Sequence, residues 1–86
     1  MTYRIEFTPA ARRDLSALPR SVARRVDAVL AILQGNPRPP KAEGLQGKLH
    51  AYHRVRVGDF RIIYLIEDDR LVICVVKIGH RKDVYR

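Results

Sequence analysis

The alternation of apolar and polar residues at the start of the chain predicts a strand. In residues 2–7 the apolar side chains occupy every second position, so they fall on one face of an extended segment. Thr8 and Pro9 follow as a helix N-cap and a first helical residue. Apolar residues then recur at helical spacing until Pro19. The chain therefore opens with a strand that leads directly into a short helix.

A second helix is predicted over residues 21–34. Its apolar stripe consists of Val22, Val26, Val29, Leu30 and Leu33. Gly35 lies where a C′ glycine commonly ends a helix, and the proline- and glycine-containing stretch 36–48 is predicted as turn and loop. Because only two to three residues separate the two helices, they are expected to form an antiparallel helical hairpin.

Three strands are predicted in the second half of the chain. Residues 53–57 and 60–66 flank Gly58 and Asp59, a two-residue hairpin signal. Residues 71–78 are almost wholly apolar, which is typical of a central strand covered on both faces. The order β-α-α-β-β-β predicts an α+β fold. In it, the helical hairpin packs on one face of a small, mainly antiparallel sheet.

The predicted hairpin places like charges opposite each other. With Gly58 and Asp59 in the turn, Arg56 lies opposite Arg61, and Arg54 shares their face. Such a pair destabilises a sheet by some tenths of a kcal/mol. Since the planar guanidinium group binds phosphate in a bidentate manner, we interpret this face as a phosphate site. The alternative is a solvated strand face in an arginine-rich protein.

Composition and charge narrow the class of protein. At 86 residues, the chain is expected to form one domain spanning residues 1–86, and 47% hydrophobic residues are typical of a globular protein. Lys and Arg number 17 against 9 acidic residues, a net charge of +8. Residues 1–40 and residues 41–86 each carry +4, so the charge is not confined to a tail. Such a surface attracts nucleic acid, an anionic membrane or an acidic protein.

Several functional classes are excluded by the rarer residues. A single cysteine, Cys74, cannot form an intrachain disulfide, and its apolar surroundings favour a packed side chain over a nucleophile. No Cys or His pair has the spacing of a zinc site, and the acidic turn 67–69 is interpreted as a solvated turn. The absence of a hydrophobic leader or an apolar run of eighteen residues predicts a cytoplasmic protein.

Taken together, four segments resemble the RelE/ParE toxin superfamily of bacterial and archaeal toxin–antitoxin systems. They are residues 7–15 with Leu18-Pro19, Gly44-Leu45 with Leu49, the hairpin string 54–64 and the terminal string 79–85. The resemblance implies the same fold and a toxin that cleaves mRNA in the ribosomal A site. It also implies a cognate RelB-like antitoxin, which wraps a helical segment over the fold to form a toxin–antitoxin hetero-oligomer.

The resemblance also implies roles for individual residues. Arg61 and Arg81 match arginines that act on the scissile phosphate and the leaving group, and Tyr85 matches a tyrosine that stacks on the substrate base. Tyr85 could equally anchor the tail to the sheet. Arg54 and Arg56 fall where some members have two lysines, one of them the general base. Because a guanidinium group does not give up its proton, neither arginine can be that base.

The implied reaction needs no metal and no cofactor. The RNA 2′-OH attacks the neighbouring phosphate and leaves a 2′,3′-cyclic phosphate and a 5′-OH, while preorganised arginines stabilise the developing charge. His80 is the preferred candidate for proton transfer because of its pKa range, whereas His53 is expected to point to the core and His50 to lie in a loop. The expected catalytic residues are Arg56, Arg61, Arg81 and Tyr85. The expected substrate-binding residues are Arg54, His80 and Lys82.

Two other functions stay open at this point. One is a ParE-like member with the same fold that inhibits DNA gyrase and cuts no RNA, and the other is a non-toxic RNA-binding module. The presence of Arg61, Arg81 and Tyr85 together favours the mRNA-cleaving function. Arginines stand at both strand positions where some members have lysines, and this replacement keeps gyrase inhibition as an open alternative.

Overall fold

The helices and strands follow the predicted order, with one additional short strand. The computed structural model describes residues 2–45 and 52–80. Its elements are β1 (Arg4–Phe7), α1 (Pro9–Ser16), α2 (Arg20–Gly35), β2 (Glu43–Gly44), β3 (Tyr52–Val57), β4 (Phe60–Glu67) and β5 (Val72–His80). The strands form a five-stranded sheet in the order β1-β5-β4-β3-β2. β1 and β5 are parallel and the other neighbours are antiparallel, which confirms the α+β class.

Thr8 both starts α1 and fastens it to the sheet. Its Oγ1 accepts a hydrogen bond from the Ala11 N–H at 3.1 Å, and Pro9 occupies the first helical turn, as predicted. The Thr8 hydroxyl also donates to the Val76 carbonyl at 3.2 Å, and the Thr8 N–H donates to the Val75 carbonyl. The entry into α1 is therefore fixed directly on β5.

The core lies between the two helices and one face of the sheet. Its fully buried side chains are Val26, Leu33, Ile62, Tyr64, Ile73 and Val75, and Tyr3, Ile5 and Phe7 of the N-terminal segment pack against them. The Tyr64 hydroxyl donates to the Pro37 carbonyl at 2.7 Å. Its burial raises the pKa of Tyr64 to about 12.

Two local predictions were wrong. Gly35 is the last residue of α2 rather than a left-handed C′ glycine, because the Asn36 N–H still bonds to the Ile32 carbonyl and the chain turns extended at Asn36, where φ is −152°. Within the stretch predicted as loop, Glu43–Gly44 forms β2 on the outer edge of β3. The alignment of β2 depends on pairing with a distant strand, which a two-residue segment does not reveal in its own pattern.

The last strand, β5, extends past its parallel neighbour to His80 and is covered there by a helix. β1 pairs only with residues 72–75 of β5. Beyond that point an Asp14 carboxylate oxygen on α1 accepts a hydrogen bond from the Ile78 N–H at 3.0 Å. The Lys77 ammonium lies 3.9 Å from the same carboxylate. α1 thus holds the end of β5 from which residues 81–86 continue.

The acidic turn between β4 and β5 ties the start of the chain to the sheet. The Asp68 carboxylate accepts hydrogen bonds from Tyr3 at 2.7 Å and from both terminal nitrogens of Arg38 at 2.9 and 3.3 Å. The bonds from Arg38 and then Tyr3 lower the pKa of Asp68. Neither helix in the described ranges is long and apolar enough to cross a membrane.

Candidate nucleic-acid interface

The β3–β4 hairpin has the predicted register. Gly58 has a φ of +62°, as required at the first central position of a tight hairpin turn. Arg56 lies opposite Arg61, and Val57 lies opposite Phe60. The sheet face that carries Arg54, Arg56 and Arg61, away from the helices, is called the arginine face below.

A carboxylate that the sequence reasoning missed lies on the arginine face. Glu43 of β2 is opposite Arg54, and its carboxylate accepts hydrogen bonds at 2.6 and 3.2 Å from two nitrogens of that guanidinium. The hydrogen bond from Arg54 lowers the pKa of Glu43, and the charges of Arg56 and Arg61 lower it further. Within residues 2–45 and 52–80, one carboxylate thus lies near three guanidinium groups on this face.

The other end of the same sheet face is electrically balanced. Arg70 bridges Glu67 at 3.1 Å and Glu6 at 3.5 Å, and Arg4 lies 3.3 Å from the same Glu6 carboxylate. Two cations and two anions therefore offset one another near β1. In the described ranges the hairpin end instead carries three arginines and Glu43, and a surface of this kind attracts a polyanion.

Apolar side chains form the floor between these two ends. Val72 is fully buried and Ile63 is 8% exposed, although both lie on the face turned away from the helical core. Gly79 of β5 lies opposite Arg61, so β5 contributes no side chain beside that arginine.

His80 lies on the other face. It is opposite Phe60 in the sheet, and the two rings meet edge to face with centroids 5.6 Å apart. Because Phe60 shares its face with Ile62 and the core, strand alternation separates the His80 ring from the Arg61 guanidinium. The structure therefore brings together Arg54, Arg56 and Arg61 of the predicted site, but not His80.

The remaining predicted residues divide into structural ones and ones that lie outside the described ranges. The His53 ring stacks on Tyr64 with centroids 5.7 Å apart, and burial, followed by the Arg38 charge, lowers the pKa of His53, in keeping with its predicted core orientation. Burial raises the pKa of the Cys74 thiol, which disfavours a nucleophilic role.

Four predicted residues lie outside the described ranges 2–45 and 52–80. They are Arg81, Lys82, Tyr85 and His50. Within those ranges no three His, Cys, Asp or Glu side chains cluster as a metal site would require.

A groove of about 810 Å³ lies on the helical side of β3, between this strand, α2 and the 39–41 segment. Most of its lining is apolar, and Ile32 is 59% exposed there. Arg25, Lys41 and Arg56 also belong to the lining residues, and no acidic residue does. The sequence held a signal for this groove, because Ile32 falls outside the apolar stripe of its helix.

The protein is thus a small basic α+β protein with an arginine-rich sheet face on one side and a mainly apolar groove on the other. Residues 5–85 match the family model described as the ParE toxin of type II toxin–antitoxin systems, parDE. The toxin RelG of Mycobacterium tuberculosis is 35% identical over 89 residues, which cover 100% of this chain and 99% of RelG. The chain belongs to the RelE/ParE superfamily of type II toxin–antitoxin toxins.

Solved structures agree with this family. The archaeal RelE–RelB complex from Pyrococcus horikoshii aligns with a TM-score of 0.81 and 29% identity, over 98% of this chain and 100% of that one. The RelBE2 toxin–antitoxin complex from M. tuberculosis aligns with a TM-score of 0.80 and 29% identity, over 94% of this chain and 100% of that one.

Proposed function

We propose that this toxin is a ribosome-dependent endoribonuclease that cleaves mRNA in the A site and thereby inhibits translation. The observation that carries the proposal is the pair of opposed arginines, Arg56 and Arg61, at the positively charged end of the open sheet face. The RelE and RelG toxins among the similar proteins support it. If this face did not bind an anion, a carboxylate in one of those two positions would make the sheet more stable, because it would replace a repulsive cross-strand pair by an attractive one.

In the proposed reaction, the RNA 2′-OH attacks the adjacent phosphate, and its proton passes to a base. The bond to the 5′ oxygen breaks, and that oxygen leaves as a hydroxyl after it receives a proton. Arg61 and Arg81 stabilise the charge on the phosphate and the leaving group, and Arg56 adds to the positive potential. A guanidinium group stays protonated, so none of these arginines accepts the proton.

The other residues of the site bind substrate in this proposal. Arg54 is held by Glu43 on the arginine face, where its guanidinium can orient a phosphate. Lys82 adds charge, and Tyr85 stacks on the base at the cleavage site. His80 serves proton transfer only if its ring leaves Phe60, because their contact holds the ring on the opposite face.

We also propose a cognate antitoxin as the partner, in a hetero-oligomer that forms in the cytoplasm. Support comes from the similar structures from P. horikoshii and M. tuberculosis, which are complexes of RelE-type toxins with RelB-type antitoxins. The groove suits an acidic segment with apolar anchors, since its lining is apolar and its charged members are all cations. Arg56 lines the groove and belongs to the arginine face, so a segment seated there would also neutralise the candidate site.

Primer extension on mRNA programmed into purified 70S ribosomes tests the proposed activity. We expect cuts within the A-site codon with the wild type, and a loss of about 10²–10³-fold with Arg61→Ala or Arg81→Ala, the usual cost of removing one transition-state donor. Arg70→Ala is the matched control, because Arg70 lies on the balanced end of the same face. It should cut at the wild-type rate.

The match to the ParE family model favours gyrase inhibition as the second candidate. A folded wild type that leaves ribosomal mRNA intact but accumulates gyrase–DNA cleavage complexes would replace the first proposal with this one. If overexpression in a bacterial host is silent and both assays are negative, the non-toxic RNA-binding module is the function to adopt.

A further inference from the structure

A partly exposed tyrosine lies on the arginine face, and the proposed reaction gives it no role. Tyr52 begins β3 two residues before Arg54, and His53 between them stacks on the core residue Tyr64. Because successive side chains of a strand point to opposite faces, the Tyr52 ring shares its face with Arg54 and Arg56. The rise of an extended strand places Tyr52 about 7 Å from Arg54 along β3.

The hydroxyl group does not explain this tyrosine. Two other tyrosines are anchored through their hydroxyls, Tyr3 to the Asp68 carboxylate and Tyr64 to the Pro37 carbonyl, both at 2.7 Å. Among residues 2–45 and 52–80, the Tyr52 hydroxyl has no hydrogen-bond partner. The feature that Tyr52 presents on this face is therefore its flat ring.

The sheet holds Tyr52 in place beside an apolar side chain. Tyr52 pairs with Leu65 of β4, and its carbonyl accepts a hydrogen bond from the Leu45 N–H at 3.0 Å. Leu65 is partly exposed and lies on the same face, because its neighbours Tyr64 and Ile66 pack into the core. Directly opposite side chains in a sheet lie in contact. Tyr52 and Leu65 are called the aromatic platform below.

The aromatic platform lies between cations and paired charges. Along β4, away from the hairpin turn, the residues of this face are first Arg61, then Leu65 with Tyr52 opposite, and then Glu67. Glu67 is bridged by Arg70 at 3.1 Å. With increasing distance from the turn, the face therefore presents guanidinium groups, then a flat apolar surface, and then balanced ion pairs.

This order of chemistry favours single-stranded RNA over a protein segment. A nucleotide carries a charged phosphate and a flat base in one unit, and bases of single-stranded RNA stack on aromatic side chains of a sheet. The distance between Tyr52 and Arg54 suits one residue that contacts a base and one that contacts a phosphate. A protein segment with apolar anchors already has the groove on the helical side of β3.

We propose that the aromatic platform binds a nucleobase of the mRNA, which stacks on the Tyr52 ring next to the phosphate held by the arginine face. This inference rests on the proposed function, because it takes single-stranded RNA as the ligand of this face. Tyr85 and Tyr52 would hold two different bases. Since stacking tolerates every base, Tyr52 positions the mRNA without selecting its sequence.

The test combines changes in the protein with changes in the RNA. Fluorescence anisotropy measures the binding of labelled toxin to 70S ribosomes programmed with mRNA that carries 2′-O-methyl groups in and beside the A-site codon, which block attack by the 2′-OH. One abasic nucleotide is placed at each of these positions in turn. Tyr52→Leu should weaken binding to the mRNA with all bases present by about 5–150-fold, the usual cost of losing one stacked base.

The abasic series separates stacking from a structural role of Tyr52. At one position the abasic nucleotide should weaken binding of the wild type by a similar factor and have no further effect on Tyr52→Leu. At every other position the abasic penalty should be the same for both proteins, because independent changes add. Equal penalties for the two proteins at all positions would overturn the inference.

Tyr52→Phe is the matched control, because it keeps the ring and removes only the hydroxyl. It should bind programmed ribosomes like the wild type and show the same abasic profile. Tyr52→Leu keeps an apolar side chain beside Leu65, so all three proteins should melt at nearly the same temperature. If Tyr52→Leu loses antitoxin binding and keeps its affinity for programmed ribosomes, the platform belongs to the antitoxin interface and the inference is wrong.

The two proposals fail in different ways. A wild type that shows the Tyr52-dependent abasic penalty but does not cut unmodified mRNA overturns the proposed cleavage and supports base binding. A wild type that cuts mRNA but has the same abasic penalties as Tyr52→Leu overturns base binding alone. A wild type that does not bind programmed ribosomes overturns both.

Discussion

At the scale of single residues, the described part of the chain brings one carboxylate, that of Glu43, close to the arginines of the hairpin. Glu43 binds Arg54 and stands beside Arg56 and Arg61 instead of between them. The like-charge pair of Arg56 and Arg61 lies across two strands of the folded protein, and a bound RNA phosphate would offset its cost. Its location on a strand pair gives it the rigid backbone that preorganised charge stabilisation requires.

Tyr64 is the residue from which we expect the clearest pH effect on stability. Burial raises its pKa to about 12 from an ordinary value of 10.0. The folded state holds the Tyr64 proton more tightly than the unfolded state does. The resulting stabilisation of the fold is therefore complete below pH 10 and is lost as the pH rises through 12. The shift corresponds to about 2–3 kcal/mol of unfolding free energy.

Urea unfolding of wild type and Tyr64→Phe between pH 7 and pH 12 measures this effect. At pH 7 the variant should be less stable by about 1–3 kcal/mol, because the buried Pro37 carbonyl loses its donor. It should also lose less stability than the wild type between pH 10 and pH 12. Parallel curves for the two proteins would show that the Tyr64 proton is not linked to folding.

At the scale of elements, the β3–β4 turn depends on one glycine. Gly58 has a φ of +62°, and a Cβ atom there would lie 2.9 Å from an Arg25 guanidinium nitrogen. The positive φ penalises any L side chain, whereas the far end of Arg25 can move away at lower cost. The turn and α2 therefore meet closely at the same end of the sheet as the arginine face.

Replacing Gly58 by Ala should destabilise the protein by about 1–2 kcal/mol through the backbone strain. Gly35→Ala is the matched control, because it lies in the last turn of α2 with no heavy atom within 4 Å of its ideal Cβ position. We expect the control to be neutral or to stabilise by about 0.5–1 kcal/mol. Thermal and urea unfolding measure both, and equal effects would contradict a special role for the turn.

The strands also mark where prediction from the sequence succeeded and where it ended. The register of β3 and β4 was predictable because a two-residue turn aligns both strands locally. Strand β2 could not be predicted, because its two residues pair with β3 through a contact that their own pattern does not encode. That missed pairing is the reason the carboxylate of Glu43 was absent from the predicted site.

At the scale of the whole molecule, two surfaces of different chemistry lie around one core. The arginine face is basic, and the groove beside β3 is mainly apolar with Ile32 exposed. Arg56 connects the groove to the arginine face. This arrangement predicts that an antitoxin bound in the groove competes with RNA at the arginine face.

Binding of the cognate antitoxin to toxin variants, measured by surface plasmon resonance, tests that arrangement. Arg56→Glu should slow association and weaken its salt dependence, whereas Ile32→Ser should speed dissociation, because it removes an apolar anchor. We expect each to weaken the complex by about 10-fold or more. Arg20→Glu is the control and should bind as wild type. An affinity unaffected by either groove variant would place the antitoxin elsewhere.

The sequence by itself determined the properties that depend on short-range order. Alternation, helical spacing and the Gly58-Asp59 turn specified the elements, the hairpin register and the gathering of Arg54, Arg56 and Arg61 on one face. Only the tertiary structure decided the pairing of Glu43 with Arg54, the position of His80 against Phe60 and the groove at Ile32. Each of these depends on segments far apart in the chain, whose relative placement follows from how the helices and strands pack together.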